Sequence, residues 1–132
     1  MLMDKDEREE IWTDLLARAW ATRERSSAKT RVGCAVVAAN GIVAAGCNIE
    51  HRFRSHDIHA EVSALAAMVS AGGDTVVKLA IAAERDFFVP CGSCLDWIFE
   101  LGGKECEVAF QPARDGIVII YTAEELMPHY PT

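Results

Sequence analysis

Four residues carry the chemistry open to this chain: His59, Cys91 and Cys94, with Glu61 beside them. One imidazole and two thiols are good zinc ligands. Three protein ligands leave a fourth tetrahedral position open, the pattern of a catalytic rather than a closed structural site. Cys91 and Cys94 stand three apart behind Pro90, so in a first helical turn both sulfurs lie on one face. The partial positive charge of a helix N-terminus stabilises thiolate there. His59 and Glu61 stand two apart and do not share a helix face. Glu61 is thus poorly placed as a further ligand and better placed as a carboxylate acting on water at the metal. Each signal alone is ambiguous. Cys-x-x-Cys also forms thioredoxin-like redox pairs, a histidine can start a helix with no special role, and a first-turn glutamate is ordinarily a solvated acid. The joint pattern, His-x-Glu and then Pro-Cys-x-x-Cys, each at a predicted helix start, is far more specific. It predicts a bound Zn2+.

The elements that must position these residues follow from the order of the chain. Ile11, Trp12, Leu15, Leu16, Ala19 and Trp20 recur at helical spacing and predict an amphipathic helix over about 5–24, with the tryptophans as core anchors. Residues 25–31 are polar and read as a loop. A strand over 33–39, Asn40-Gly41 and a returning strand over 42–47 predict a hairpin, and Asn48 and Glu50 leave its end. Residues 51–58 are polar, rich in Arg and His, and aperiodic, which predicts a loop. A second helix starts near His59, with Val62, Leu65, Ala66 and Val69 on one side, and Gly72-Gly73 ends it. A strand over 76–83 comes next. Pro90 is expected in the first turn of the third helix, which Gly102-Gly103 stops. Strands over 106–110 and 117–121 and a short helix over 123–126 capped by Thr122 complete the chain. Strands alternating with helices predict an α/β fold with a mainly parallel sheet covered by helices. The first hairpin breaks that pattern. So does the six-residue link 111–116, too short for a parallel crossover, which predicts an antiparallel last pair.

Composition bounds the partners. The 132 residues suit a single domain over 1–132 with a real core. The formal net charge of −7 argues against charge-driven binding to a nucleic acid polymer and leaves neutral nucleosides open. The charged stretch Met1–Glu10 does not read as a signal peptide, and no apolar run reaches the ~20 residues of a membrane span. A cytoplasmic protein without membrane partner is expected. Of the five cysteines, Cys34, Cys47 and Cys106 sit in or beside apolar runs and read as buried thiols.

These residues resemble the cytidine deaminase superfamily, and further stretches point to its nucleoside branch, which includes blasticidin-S deaminase. Gly46-Cys47-Asn48-Ile49-Glu50 is similar to the family's G-x-N-x-E, Pro90-Cys91-Gly92-Ser93-Cys94 to its P-C-G-x-C, and Glu124-Glu125-Leu126-Met127-Pro128 to its closing E-E-L-L-P. The resemblance implies a three-layer fold, a five-stranded mixed sheet with helices on both faces. It implies zinc on His59, Cys91 and Cys94, Glu61 as the proton shuttle, sugar contacts from Asn48 and Glu50, and a carbonyl contact from the backbone of Ala60. It also implies a homo-oligomer, a homotetramer or alternatively a homodimer. The chain departs from the family at three places. Lys29-Thr30-Arg31 lacks the aromatic that stacks on the base. Leu95-Asp96 stands for Arg-Gln, whose arginine offsets the charge of a three-thiolate site. His51-Arg52-Phe53-Arg54 stands where the family continues Asn-Ala.

The expected function is zinc-dependent hydrolytic deamination of a cytidine-like pyrimidine nucleoside with release of ammonia. Alternatives keep the chemistry on a modified nucleoside, a nucleotide or another amino-heterocycle, or keep only the metal, as a non-catalytic zinc-stabilised binding domain. Intact Glu61 argues against the last. Arg52 and Arg54 are candidates for holding an anionic or carbonyl-bearing substituent, since the guanidinium fork suits such groups.

Overall fold

The computed structural model describes residues 5–131. Its elements are α1 (Lys5–Arg23), β1 (Gly33–Ala38), β2 (Val43–Cys47), a 3-10 turn (Arg54–His56), α2 (Ala60–Ser70), β3 (Val76–Ala82), α3 (Gly92–Gly102), β4 (Glu107–Gln111), β5 (Ile119–Thr122) and α4 (Ala123–Leu126). The five strands form one sheet in the order β2-β1-β3-β4-β5. The sheet is mixed rather than mainly parallel. β1 is antiparallel to both β2 and β3, β4 is parallel to β3, and β5 is antiparallel to β4. The reason is topological: the crossover from β2 through α2 to β3 steps over β1, which therefore runs against both strands it separates.

Alternation along the strands sorts side chains to two faces. One face of the sheet is small: Ala35, Ala80, Ala82 and Ala109 meet Trp12, Leu15, Leu16 and Trp20 of α1. Small strand residues let a helix carrying two tryptophans lie close. The other face is large. Cys34, Val36, Leu79, Ile81, Val108 and Phe110 pack against Leu65 and Met68 of α2 and Leu95, Ile98 and Phe99 of α3. Cys34 and Cys106 are buried as expected, and Cys47 is partly exposed.

The hairpin forms at Asn40-Gly41. Gly41 N–H bonds the carbonyl of Ala38 (2.9 Å) and Gly41 alone takes a positive φ of 89°, a three-residue loop with glycine at the left-handed position. The buried face of α2 is Ala60, Glu61, Ala64, Leu65 and Met68; of the expected stripe only Leu65 belongs to it, and Val69 faces solvent. Gly46 explains the choice, because a side chain there would collide with the backbone of Ser63 and Ala64. The bare strand draws α2 in by its small residues. Gly73 N–H to the Met68 carbonyl and Gly72 N–H to that of Val69 then close the helix in a Schellman motif. Pro90 precedes the cap of α3 instead of opening its first turn, because Cys91 is the cap.

Candidate functional site

α2 and α3 start at the same place, and both caps are unusual. N-cap positions favour Ser, Thr, Asp or Asn, whose oxygens bond the free amides of the first turn. Here the N-caps are His59 and Cys91, both with extended backbone and neither using its side chain to cap. The backbones do the holding: Ser63 N–H bonds the His59 carbonyl (3.0 Å) and Leu95 N–H that of Cys91 (2.9 Å). The imidazole and thiol are free to turn toward each other, and Cys94 joins them one turn into α3. His59 Nδ1 lies 3.3 Å from Cys94 Sγ and 3.4 Å from Cys91 Sγ. All three donor atoms fall within 4.8 Å of one another.

This donor set fits zinc. One nitrogen and two sulfurs converge on a point at which two positive helix ends are aimed. Burial, the Glu61 carboxylate and the Cys91 thiol all push the Cys94 thiol well above the ordinary range. A dication is what reverses that tendency and holds the thiolate. His59 and Cys91 face the solvent side while Cys94 is fully buried, so the triad has a dry floor and an open side.

Glu61 lies in the first turn of α2 and is only 2% exposed. Burial raises its carboxyl above the ordinary range; its own backbone amide, the His59 ring and the Cys94 thiol pull the other way. It lines a cavity of about 340 Å³ together with His59, Ala60 and Cys91. That volume suits a small ring compound.

The remaining sequence candidates separate here. Asn48 and Glu50 line the cavity. Asn48 is also the keystone of the 26–32 loop: its Oδ1 accepts from Ser26 Oγ (2.7 Å) and Val32 N–H (2.9 Å), and its Nδ2 donates to the Thr30 carbonyl (2.7 Å). Glu50 accepts from Lys29 N–H and pairs with Arg54 at 2.7 Å. Arg54 lines the cavity but spans two carboxylates, Glu50 and Asp57 (2.7 Å). Arg52 and Phe53 are not among the cavity's lining; the Arg52 guanidinium sits 5.1 Å from the Phe53 ring centre. The basic loop is built on Asp57, which also accepts from His51 N–H (2.7 Å), and the Ile49–Ile58 bridge closes its base.

Sequence reasoning missed the opposite wall, formed by Arg85, Phe88 and Val89 in the segment leading to Cys91. Phe88 is anchored by Phe110, with ring centres 5.9 Å apart, and the Arg85 guanidinium lies over the Phe88 ring, 5.3 Å from its centre. The pair Phe87-Phe88, separated from Pro90 only by Val89, was the available signal: aromatics two and three positions ahead of a metal-ligand motif cannot lie far from it.

Comparison with known proteins agrees with this geometry. The profile of the cytidine and deoxycytidylate deaminase zinc-binding region matches residues 7–110. A cytidine deaminase of Mycobacterium tuberculosis (strain ATCC 25618 / H37Rv) is 33% identical over 75 residues, 56% of this chain; the match spans only 56% of that relative's length. Among solved structures, cytidine deaminase from Burkholderia pseudomallei superposes with a TM-score of 0.80 at 30% identity, over 89% of this chain and 96% of that one. Cytidine deaminase from Mycobacterium leprae gives 0.77 at 29% identity, over 89% and 98%. With its His59, Cys91 and Cys94 cluster and the five-stranded mixed sheet behind it, this chain belongs to the cytidine and deoxycytidylate deaminase family and carries that family's zinc-binding region.

Proposed function

We propose that the chain acts as a single domain and is a hydrolytic deaminase that converts the amino group of a cytidine-like pyrimidine nucleoside to a carbonyl, with release of ammonia. What carries this reading is the convergence of His59, Cys91 and Cys94 beside the buried carboxylate of Glu61 at the floor of a cavity. Zinc held by these three residues supplies Lewis acidity that makes water a nucleophile near neutral pH. Glu61 takes a proton from the attacking water and gives it to the ring nitrogen next to the amino-bearing carbon. It then takes the remaining proton of the added hydroxyl and passes it to the amino group, so that the carbonyl forms as the C–N bond breaks and ammonia leaves. Its burial suits both duties, since a desolvated carboxylate gives up and accepts protons nearer neutrality. The amide of Ala60, at the free N-terminal end of α2, donates to the pyrimidine carbonyl. Asn48 and Glu50 face the sugar, Glu50 after exchanging part of its pairing with Arg54.

The structural similarity to cytidine deaminases supports the substrate class, a small nucleoside rather than a nucleic acid polymer or a membrane; among the described residues no helix is long and apolar enough to cross a membrane. We place the protein in the cytoplasm, where metal-binding thiols stay reduced. A homotetramer, or alternatively a homodimer, is the assembly we favour. Ile49 and Ile58 on the cavity and Phe53 and Phe87 elsewhere are apolar yet 43–58% exposed, surface that another subunit would cover. Light scattering decides it, and an active monomer at nanomolar concentration refutes it.

The central test is Glu61→Gln. It preserves shape and removes proton transfer, so zinc content and thermal unfolding stay as in the wild type while ammonia release from cytidine falls by roughly 10²–10⁴-fold. Turnover near the wild-type rate in that variant would refute the assignment.

A further inference from the structure

We infer that Arg85 selects substrate: its guanidinium, standing on Phe88 at the wall of the cavity, holds an anionic group, phosphate or carboxylate, on the part of the substrate away from the reacting carbon. This rests on the deaminase reading above and deepens it. The argument starts from charge. Arg54, the cation across the cavity, is already committed to Glu50 and Asp57 at 2.7 Å each. Two thiolates balance a zinc dication. Arg85 is different: among the described residues its side chain makes no ion pair, although acids flank it in sequence. Glu84 turns to Arg23 (3.6 Å) instead. A chain of net charge −7 therefore leaves one cation of its cavity wall uncompensated.

Orientation follows from packing. Phe88 is half-buried and braced by Phe110, so its ring is a fixed platform, and the Arg85 guanidinium lies 5.3 Å from its centre. Stacking fixes the plane of the fork and leaves its edge N–H groups free for two parallel bonds to a carboxylate or phosphate. The chain has no aromatic ring at 29–31, so the Arg85–Phe88 stack is the one aromatic wall that this cavity does have among the described residues.

The experiment measures kcat/KM of the zinc-loaded protein for cytidine, cytidine 5′-monophosphate, cytidine 5′-carboxylic acid and 5-carboxycytidine. At least one anionic compound exceeds cytidine by tenfold or more, and which one distinguishes phosphate from carboxylate. In Arg85→Ala that preference ratio collapses by roughly 10–100-fold, the size expected of a charge-assisted bidentate contact. Arg85→Lys restores part of it, and Arg52→Ala, off the cavity, leaves the ratio unchanged. Calorimetric binding of the uridine counterparts to the same proteins gives the ratio independently of turnover. If no compound is deaminated but Arg85 still sets the binding ratio, the deaminase reading fails and this one stands. If no anionic compound is preferred in either measurement, or the preference survives Arg85→Ala, Arg85 is not the selecting residue.

Discussion

Gly46→Ala tests whether the distance between β2 and α2 sets the chemistry. A Cβ built at Gly46 lies 2.6 Å from the Ala64 nitrogen and 2.7 Å from the Ser63 carbonyl carbon. Ordinary contact begins near 3.4 Å, and backbone atoms cannot swing aside as a side-chain end can. α2 must therefore retreat by about 0.8 Å in a close-packed interior. Overpacking of this kind costs about 1–3 kcal/mol, which for a chain of this size lowers Tm by roughly 4–12 °C. The functional loss is the larger effect. α2 carries His59 as its cap and Glu61 in its first turn, while Cys91 and Cys94 ride on α3. The retreat moves one ligand and the proton shuttle relative to the other two ligands, and a 1 Å misplacement costs on the order of 10²-fold in rate. Metal content, Tm and kcat/KM are measured on G46A and on G92A, whose added Cβ meets nothing within 4 Å although it adjoins Cys91. G92A keeps all three properties. If G46A keeps wild-type kcat/KM with lowered Tm, the interface does not transmit to the site; if Tm is also unchanged, the packing argument itself is wrong.

Removing metal with a chelator should lower Tm and adding Zn2+ should restore it, while Cys94→Ala loses both metal and stability, because ligand binding and folding are linked. Trp20→Phe strands the buried Gln111 Oε1 that Trp20 Nε1–H now bonds at 2.7 Å, and denaturant unfolding should show a loss of about 1–3 kcal/mol. Thr122→Ala removes the capping box shared with Glu125 and should cost about 1 kcal/mol by the same assay. The Asp74 carboxyl, which accepts from the amides of Thr75 (2.6 Å) and Asn40 (3.1 Å), should titrate below the ordinary aspartate range in a carbon NMR titration, chiefly because of the Thr75 bond. Its folded value is depressed, so its stabilisation is present above the unfolded pKa and fades as pH falls through the folded one. Asp74→Asn should remove that fraction of the acid sensitivity.

What the sequence made legible was local. α1, the hairpin, both glycine stops and the Thr122 cap follow from residue patterns of a few positions, and each stands within a residue or two of its expected place. The metal cluster was legible because its residue types are rare and its spacing is set by a helix turn. Pairings between distant segments were not. Nothing in the order of strands and helices says whether β3 pairs with β1 or with β2, so the antiparallel β1–β3 ladder had no signal. In α2, Ala-Glu-Val-Ser-Ala-Leu-Ala-Ala-Met-Val-Ser is apolar almost all round, and periodicity cannot choose a face. The choice is made by Gly46 on another element. Arg54 was legible as a cation near the cavity, but its commitment to Glu50 and Asp57 was not, and neither was the freedom of Arg85.

The departure at Leu95 is explained by the same charge reasoning. In a site with three thiolates the metal complex is anionic and a neighbouring arginine offsets it, as the resemblance implies. Here His59 contributes a neutral nitrogen, and two thiolates cancel the dication. A cation at position 95 would then have no charge to offset, and burying it in the apolar core would carry a desolvation cost with no Coulombic return. Leucine at 5% exposure instead adds apolar surface to the core beneath the second ligand. His59 and Leu95 thus form a matched pair. Restoring one family residue alone, as in Leu95→Arg, should cost stability. Combined with His59→Cys, the added charge gains its partner and part of that loss should return.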